Sequence, residues 1–422
     1  MKSEKNIKIS KAKQDNWDTI VIENDFFRTV LIPKCGRLPY SFYCKNSGQE
    51  CFAHPVPLTT PKNGREFNYY GGLVDSIPWV SGKVNGKTNP QRFPVKGYLH
   101  FSPWKHRIEK RGRKVCWEGG NAFTYNEPVT DKVSSLAFVK KITAYADSAK
   151  LRMDYKIKNT GNGNAKFTLA VHSRTCIGNW HRGTYFYAPG DKCYLYELEN
   201  RPDLEAKGMK LFSWPDWPFE EARRLQPAPE TAYLFTYHPQ DWCVTGDAQS
   251  QKAFFYIAGG PVNYGDRTDI LKMGSFMTNK VQFVQPCISY ALQSDAEIWE
   301  QPGAVAELPE GGKCAFTLYL VSHAGLAENA VVNLHQVNED FLLLNEPELA
   351  AAGTGAAIRG EAFFSTEGEI NVKINGKTFK KVEIPVGAYN FEQLGTIPFP
   401  ENITLEFNDH VNSREITIRQ MG

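Results

Sequence analysis

Alternation of apolar and polar residues is the feature that most constrains this 422-residue chain. In residues 151–158, Leu, Met, Tyr and Ile alternate with Arg, Asp and Lys. Because successive side chains of an extended strand point to opposite faces, this pattern is typical of a half-buried strand. Similar segments recur along most of the sequence, and helical periodicity is confined to residues 327–344. The pattern predicts an all-β protein.

The composition changes after Asn345, where a linker of small residues occupies positions 349–357. Short alternating segments follow it, and Asn375-Gly376 is a strong hairpin signal. We therefore predict a large domain over residues 1–345 and a small antiparallel β module over residues 346–422. The sequence leaves open whether this module packs against the large domain or forms a separate appendage.

Two long segments interrupt the strand pattern, at residues 55–94 and 197–229. The second contains repeated prolines, which exclude a central strand there. Loops of this length on a β scaffold usually build a functional site or cover one.

The charge balance argues against general nucleic-acid binding, because 49 Lys and Arg residues face 46 Asp and Glu residues. The basic run at residues 105–114 is expected at the solvated tip of a hairpin, with contact to an anionic polymer as the alternative. No apolar stretch approaches the ~18 residues of a membrane helix, so no membrane partner is predicted. The polar N-terminus predicts a cytoplasmic protein, or a periplasmic or secreted one if a leader has been removed.

Textual motifs for nucleotide, zinc-protease and triad-hydrolase chemistry do not occur in the sequence. The nine cysteines form no C-x-x-C pair, which favours reduced thiols over a zinc or redox site. Histidines and carboxylates are too scattered in the sequence to indicate metal ligands. The sequence therefore predicts neither a metal nor an organic cofactor, and it carries no signal for an oligomeric state.

His172 is the most informative single residue. It is predicted in the middle of a strand, on the face opposite Phe167, Leu169 and Val171, with Arg174 on the same face as the histidine. A polar pair of this kind indicates a face that opens on a cleft, where an imidazole can act as general acid or base near neutral pH. A structural histidine bonded to a neighbouring strand is the alternative.

Further candidates come from polar and aromatic residues near predicted strand ends and in the long loops. The expected substrate contacts are Arg37, Tyr70, Asp75, Trp79, Arg174, Trp180 and His181. Aromatic residues make up 13% of the chain, and their flat apolar faces suit stacking on sugar rings. An Arg side chain would suit an acidic sugar, because its fork pairs a carboxylate bidentately.

Several segments resemble the galactose mutarotase-like (aldose 1-epimerase-like) proteins. Ile-Glu-Asn at 22–24, Phe27 and Leu-Ile-Pro-Lys-Cys-Gly-Arg-Leu at 31–38 look like the family's opening segment. Residues 97–104 look like its "H-G-x-x-x-x-x-W" strand, with Lys96 at the position of the family's histidine. Residues 166–179 resemble the strand of the family's second histidine, which falls on His172, and residues 297–316 resemble its closing strand pair.

The resemblance implies a large antiparallel β-supersandwich whose concave face binds a saccharide. It also implies epimerase chemistry, in which a histidine protonates the ring oxygen and a glutamate removes the anomeric hydroxyl proton. His172 would be the acid, and His100 joins the catalytic candidates. The segment that matches the family's "L-E-x-Q" strand has no carboxylate before Gln293, so Glu297 or Glu300 is assigned as the base.

Three functions remain open at this point. The first is an aldose 1-epimerase-type enzyme that acts on a mono- or oligosaccharide. The second is a non-catalytic glycan-binding protein that keeps the cleft. The third is a glycoside hydrolase or polysaccharide lyase on the same scaffold, which would need a carboxylate pair or a cluster of Tyr, His and Arg.

Overall fold

The computed structural model describes 23 parts of the chain. These are residues 6–14, 16–52, 54, 71–78, 83–84, 87–88, 97–99, 102–127, 132–173, 175, 177, 184–189, 192–199, 210–213, 233–238, 241–259, 262–264, 267–269, 272–278, 283–289, 306–398, 402–409 and 411–419. Strands dominate them and every ladder is antiparallel, which confirms the prediction of an all-β fold.

The strands before residue 240 are β1 (Lys8–Gln14), β2 (Trp17–Glu23), β3 (Phe27–Ile32), β4 (Arg37–Cys44), β5 (Gln49–Glu50), β6 (Leu73–Ser76), β7 (Lys83–Val84), β8 (Lys87–Thr88), β9 (Lys105–Arg111), β10 (Lys114–Asn126), β11 (Val133–Tyr145), β12 (Lys150–Asn159), β13 (Ala165–Phe167), β14 (Ala170–Ser173), β15 (Thr184–Tyr187), β16 (Lys192–Glu199), β17 (Lys210–Ser213) and β18 (Tyr233–His238).

The later strands are β19 (Trp242–Asp247), β20 (Lys252–Ala258), β21 (Val262–Tyr264), β22 (Arg267–Asp269), β23 (Lys272–Thr278), β24 (Phe283–Ser289), β25 (Ala306–Leu308), β26 (Lys313–Ala324), β27 (Gln336–Val337), β28 (Phe341–Leu343), β29 (Glu348–Ala352), β30 (Gly355–Arg359), β31 (Glu361–Phe364), β32 (Gly368–Ile374), β33 (Lys377–Ile384), β34 (Gly387–Asn390), β35 (Ile403–Asn408) and β36 (Ser413–Ile416). A short helix, α1, spans Glu328–Val332, and single 3₁₀ turns span Pro33–Cys35 and Phe391–Leu394.

Two sheets form most of the large domain. The first, here called the large sheet, has the order β15-β19-β20-β26-β12-β11-β10-β9. The second has seven strands in the order β17-β16-β18-β23-β24-β14-β6, and a five-stranded sheet, β1 to β5, adjoins them. The inner face of the large sheet is apolar and aromatic: Trp117 and Phe138 are fully buried, and the Tyr155 and Phe316 rings stack with centroids 4.4 Å apart. Side chains from this face cross the interior to the seven-stranded sheet.

The segment at 55–94 is not a continuous loop. Within it, residues 73–76 form β6, the edge strand of the seven-stranded sheet, and Leu73 and Val74 are buried. Burial of these side chains and pairing with β14 override the loop signal of the surrounding residues.

The helix expected over residues 327–344 is wrong beyond Val332. The side-chain oxygen of Asn338 accepts hydrogen bonds from the backbone amides of Asp340 and Phe341, at 2.9 and 3.0 Å. This turn reverses the chain between β27 and β28, and β28 then pairs with β31. Local turn chemistry and strand pairing therefore outweigh the weak helical periodicity.

The C-terminal strands have a hydrophobic cluster of their own, which begins at Phe341 and ends at Ile418. They also pack against the large domain, which answers the question left open by the sequence. The Ala149 amide donates to the carbonyl of Ser365 at 2.7 Å, and the buried Lys150 ammonium pairs with Asp340 and Asp409. The domain boundary at residue 345 stays a prediction.

Lys150 is 5% exposed. Its burial would lower the pKa of the ammonium, but the two carboxylates outweigh burial and raise that pKa above its ordinary value. The junction between module and domain is therefore held by a charged contact as well as by apolar packing. In the described part of the chain, no helix is long and apolar enough to cross a membrane.

A buried histidine also lies at this junction. His323 on β26 is 4% exposed, its ring lies between those of Phe255 and Phe363, and Nε2 is 3.4 Å from the Ser365 hydroxyl. Burial lowers the pKa of His323 from 6.5 to about 4, because the imidazolium cannot be solvated there.

We expect this histidine to make stability depend on pH. The unfolded chain binds the proton more tightly than the folded chain, so the stability contribution of neutral His323 is present above pH 6.5 and is lost as pH falls toward 4. A shift of this size corresponds to about 3 kcal/mol, because one pKa unit is worth about 1.4 kcal/mol. The free energy of unfolding in urea, measured for wild type and for His323→Phe between pH 6.5 and pH 4, tests this expectation. If the two proteins lose the same amount of stability as the pH falls, then carboxylates and not His323 are responsible.

Candidate active site

Strand β14, which carries His172, is the second strand from one edge of the seven-stranded sheet. It pairs with β24 on one side and with β6 on the other, and His172 lies directly opposite Cys287 and Val74. The side chain of His172 is outside the described residues. Phe167, Leu169 and Val171 are all at most 2% exposed, as predicted, but the expected strand over residues 166–175 is divided, since Phe167 belongs to β13 and Val171 to β14 in another sheet.

Asp75 lies directly opposite Val171, and directly opposite residues of an antiparallel pair share one face of the sheet. Its carboxylate therefore points to the interior, where the Lys140 ammonium of β11 donates to Oδ1 at 3.1 Å and to Oδ2 at 2.8 Å. The two side chains are 1% and 0% exposed. This location corrects the expectation that Asp75 contacts a sugar, because the carboxylate has almost no accessible surface and both oxygens are already bound.

Burial affects both members of this ion pair. It raises the pKa of Asp75 and lowers the pKa of Lys140, since a water-poor interior disfavours each charged form. The Tyr155 hydroxyl opposes the effect of burial on the pKa of Asp75, and the Lys140 ammonium lies 4.7 Å from the centroid of the Tyr155 ring. The pair is thus completed by further polar and cation–π contacts, which a buried ion pair requires.

A second polar contact joins the two sheets at the other end of β14. The Tyr256 hydroxyl, from β20 of the large sheet, is hydrogen-bonded to Ser173 and lies 2.7 Å from Oγ1 of Thr175. Burial raises the pKa of Tyr256 well above its ordinary value, so it acts as a neutral hydroxyl. Strand β14 is therefore tied to the large sheet through both Asp75 on its neighbour and its own Ser173.

An ionisable pair that the sequence analysis did not single out lies beside the end of β14. Phe52 forms an isolated antiparallel bridge with Thr175, which brings Glu50 and His54 close to the point where the chain continues from β14. Nε2 of His54 is 3.8 Å from Oε1 of Glu50, and the side chains are 24% and 30% exposed. No hydrogen-bond partner is found for either ring nitrogen of His54 within the described residues.

Glu50 is held in place by three donors. Its carboxylate accepts hydrogen bonds from the Ser41 hydroxyl at 2.5 Å and from the amides of Phe42 and Phe52 at 2.9 and 3.0 Å. Burial opposes ionisation, but His54, Ser41 and the Phe52 amide outweigh it and lower the pKa of Glu50. A fixed carboxylate of this kind orients the neighbouring imidazole.

Gly71 and Gly72 form the entry into β6, and Gly71 packs against the same histidine. Both have positive φ, 87° and 73°, a region that side chains with a Cβ rarely adopt. A Cβ on Gly71 would lie 2.7 Å from Nδ1 of His54, and one on Gly72 would lie 2.6 Å from the Pro39 carbonyl oxygen. The Tyr-Tyr-Gly-Gly sequence at 69–72 is the signal that could have indicated a close approach here.

The other predicted site residues fall into two groups. Arg37 is 0% exposed at the start of β4, opposite Ile32, and its contact with a substrate stays a prediction. The remaining candidates lie outside the described residues: Tyr70, Trp79, His100, Arg174, Trp180, His181, Glu297 and Glu300. Within the described residues, no group of three or more His, Cys, Asp or Glu side chains could hold a metal ion.

Solved structures with the same architecture come from several bacteria. A galactose mutarotase-like protein from Clostridium acetobutylicum is 11% identical with a TM-score of 0.54, over 76% of this chain and 99% of that chain. A putative aldose 1-epimerase from Klebsiella pneumoniae is 12% identical with a TM-score of 0.57, over 78% of this chain and 86% of that chain. A TPR-domain containing protein from Parabacteroides distasonis is 14% identical with a TM-score of 0.51 over 72% of this chain.

This chain spans about half of that last protein, 47% of its length. No family model matches the chain, and a comparison with curated proteins found no match. At these identities the likeness concerns the fold, which is the antiparallel β-sandwich of the galactose mutarotase-like proteins.

The ion pair behind β14 leads to a stability prediction. Replacement of Lys140 by Met leaves the Asp75 carboxylate buried without its partner, and we expect a loss of about 3–5 kcal/mol in the free energy of unfolding. The double variant Lys140→Met/Asp75→Val removes both charges and should recover most of that loss. Urea unfolding of the three proteins measures the coupling. Equal stability of wild type and Lys140→Met would show that the pair contributes little.

Proposed function

We propose that this protein is a carbohydrate-active enzyme of the aldose 1-epimerase type, which binds a mono- or oligosaccharide beside β14 and interconverts its anomers. The observation that supports the proposal is a histidine on β14, a strand that pairs with both β24 and β6 inside the seven-stranded sheet. The two contacts behind β14 support it, because a proton-transfer group needs a backbone that is held in place.

In the proposed reaction, protonated His172 gives its proton to the ring oxygen while a carboxylate takes the proton of the anomeric hydroxyl. The bond between the anomeric carbon and the ring oxygen breaks, and an open-chain aldehyde forms. Rotation about the adjacent carbon–carbon bond turns the aldehyde, and reversal of the two proton transfers closes the ring as the other anomer. Glu297 and Glu300 remain the proposed bases. Such a pair needs opposite protonation states at the start of the reaction.

His54 is a proposed addition to this site. Its position beside the bridge between Phe52 and Thr175, where the chain continues from β14, and its partly exposed side chain support a role in binding sugar hydroxyls. Glu50 would then act as a positioning residue that sets the orientation of His54. Neither residue is assigned a proton transfer in the reaction.

The first functional prediction concerns His172. The variant His172→Asn keeps a polar group but cannot exchange a proton near neutral pH, so we expect a loss of about 10²–10⁴ in kcat with sugar affinity nearly unchanged. Polarimetric mutarotation of galactose, glucose and uronic acids measures it, and a thermal midpoint is taken on the same preparation. Wild-type turnover in the folded variant would remove His172 from the mechanism. If His172→Asn is inactive because it has unfolded, the variant His172→Gln is tested in its place.

The second functional prediction separates binding from catalysis at His54. The variant His54→Phe removes the two ring nitrogens and should raise KM by about tenfold, as expected for the loss of one or two hydrogen bonds, with little change in kcat. Glu50→Gln should raise KM less, because it changes only the orientation of the imidazole. A kcat decrease as large as that of His172→Asn would instead assign His54 to proton transfer.

A non-catalytic glycan-binding protein is the second candidate. The absence of a carboxylate before Gln293, in the segment that resembles the family's base-carrying strand, favours it. Calorimetric sugar binding without any mutarotation in the wild-type protein would support this candidate. A glycoside hydrolase or lyase would be indicated by the release of new reducing ends or of unsaturated products.

A further inference from the structure

The outer face of the large sheet is open over β9, β10, β11, β12 and the first half of β26. Along β10, Val115 and Trp117 are buried, and the alternate residues between them point outward. Two adjacent glycines mark the two faces. A Cβ on Gly119 would lie 2.3 Å from the Trp117 ring, whereas one on Gly120 would lie 3.9 Å from the outward Val139.

Charges cancel in one row of side chains across this face. The row runs through Arg107, Glu118, Lys141 and Asp154 on four successive strands. Arg107 and Glu118 form an ion pair at 3.0 Å, and Asp154 accepts a hydrogen bond from Thr317 on the fifth strand. Cross-strand pairs of opposite charge are the usual way in which an exposed sheet face is stabilised.

The next two rows differ, because lysine is the only ionisable residue in them. One row contains Lys105 and Lys156, and the other contains Lys158 and Lys313, which lie directly opposite each other on adjacent strands. All four side chains are exposed, and no carboxylate of the described residues lies within ion-pair distance of any of them. We call these four residues the lysine cluster.

Like charges directly opposite each other destabilise a sheet, so the pairing of Lys158 with Lys313 has no structural benefit. The residues between the lysines are small or aliphatic: Gly120, Ala122, Ala137, Val139 and Ala315. The cluster therefore surrounds a shallow apolar floor. It extends across five strands, or about 19 Å at the usual strand spacing.

We propose that this face is a docking surface for an anionic polysaccharide, with the lysine cluster as its charge contacts. An extended chain that bears carboxylates or sulfates can lie on the floor and place its anions beside ammonium groups on β9, β12 and β26. Charge complementarity supports this partner, because four cations here lack carboxylate partners among the described residues, in a chain whose net charge is only +3.

Nucleic acid fits the same face less well. The duplex major groove admits a helix or a two-stranded ribbon, and a face of five strands is wider than either. Single strands are usually held by aromatic side chains on which bases stack, and no aromatic residue lies in the two rows of the cluster. The outward Tyr145 and Tyr319 lie in other rows, with Lys114 and Arg152 over their rings.

The docking surface is separate from the proposed active site. It lies on the solvent side of the large sheet, whereas β14 belongs to the seven-stranded sheet that the inner face covers. The inference therefore goes beyond the proposed function, and its test measures binding and not turnover. A loss of mutarotase activity in any variant has no bearing on it.

The test compares binding of the full chain to immobilised polygalacturonate, dextran sulfate and neutral dextran at low and high salt. We expect binding to the two anionic polymers only, and weaker binding as salt screens the lysines. The variant Lys156→Thr/Lys158→Thr should bind about tenfold more weakly, as expected for the loss of two exposed charge contacts. The matched control, Lys11→Thr/Lys377→Thr, removes the same net charge from exposed positions elsewhere and should bind like wild type.

Three results would overturn the proposal: no binding to either polymer, equal weakening in the control variant, or stronger binding to single-stranded DNA or anionic lipid vesicles than to the polysaccharides. Thermal midpoints show whether the variants are folded. If the double variant is unfolded, Lys313→Thr takes its place, since it removes a repulsion and should not lower the thermal midpoint. Its binding should still fall by a factor of about three, as expected for one exposed contact.

Discussion

The ion pair between Asp75 and Lys140 is the interaction on which the placement of the candidate site depends. Apolar packing between two sheets is not directional, so it alone does not prevent one sheet from sliding over the other. A buried ion pair with two short contacts does, because a shift would leave both charges without partners. Tyr256 adds a second fixed point on β14 itself, and the chain that carries His172 is thereby held between two polar contacts.

Much of the fold could be predicted from local pattern. Alternation identified β12 and the apolar face that leads into β14, because a period of two is a direct consequence of strand geometry. The expected helix near residue 335 failed for the opposite reason. There the deciding contacts are an Asn338 turn and the pairing of β28 with β31, which involves residues some twenty positions away.

The candidate site was less accessible to sequence reasoning. Asp75 is an acidic residue next to loop segments and resembles a substrate contact, but its burial follows from its register with Val171, which no local pattern contains. His54 and Glu50 were missed because their neighbours come from distant segments: Gly71 contacts the ring, and Thr175 pairs with Phe52. Register and long-range approach therefore limit what the sequence could show about this site.

The position of β9 has a consequence for how these molecules behave towards one another. It is the last strand of the large sheet, and its outer hydrogen-bonding edge has no partner strand in the described part of the chain. Unprotected edges invite other molecules to extend the sheet, and charged side chains are a common obstacle to such aggregation. Six of the seven residues of Lys105–Arg111 are ionisable and exposed. The charged side chains along this strand therefore oppose edge-to-edge pairing between copies of the chain.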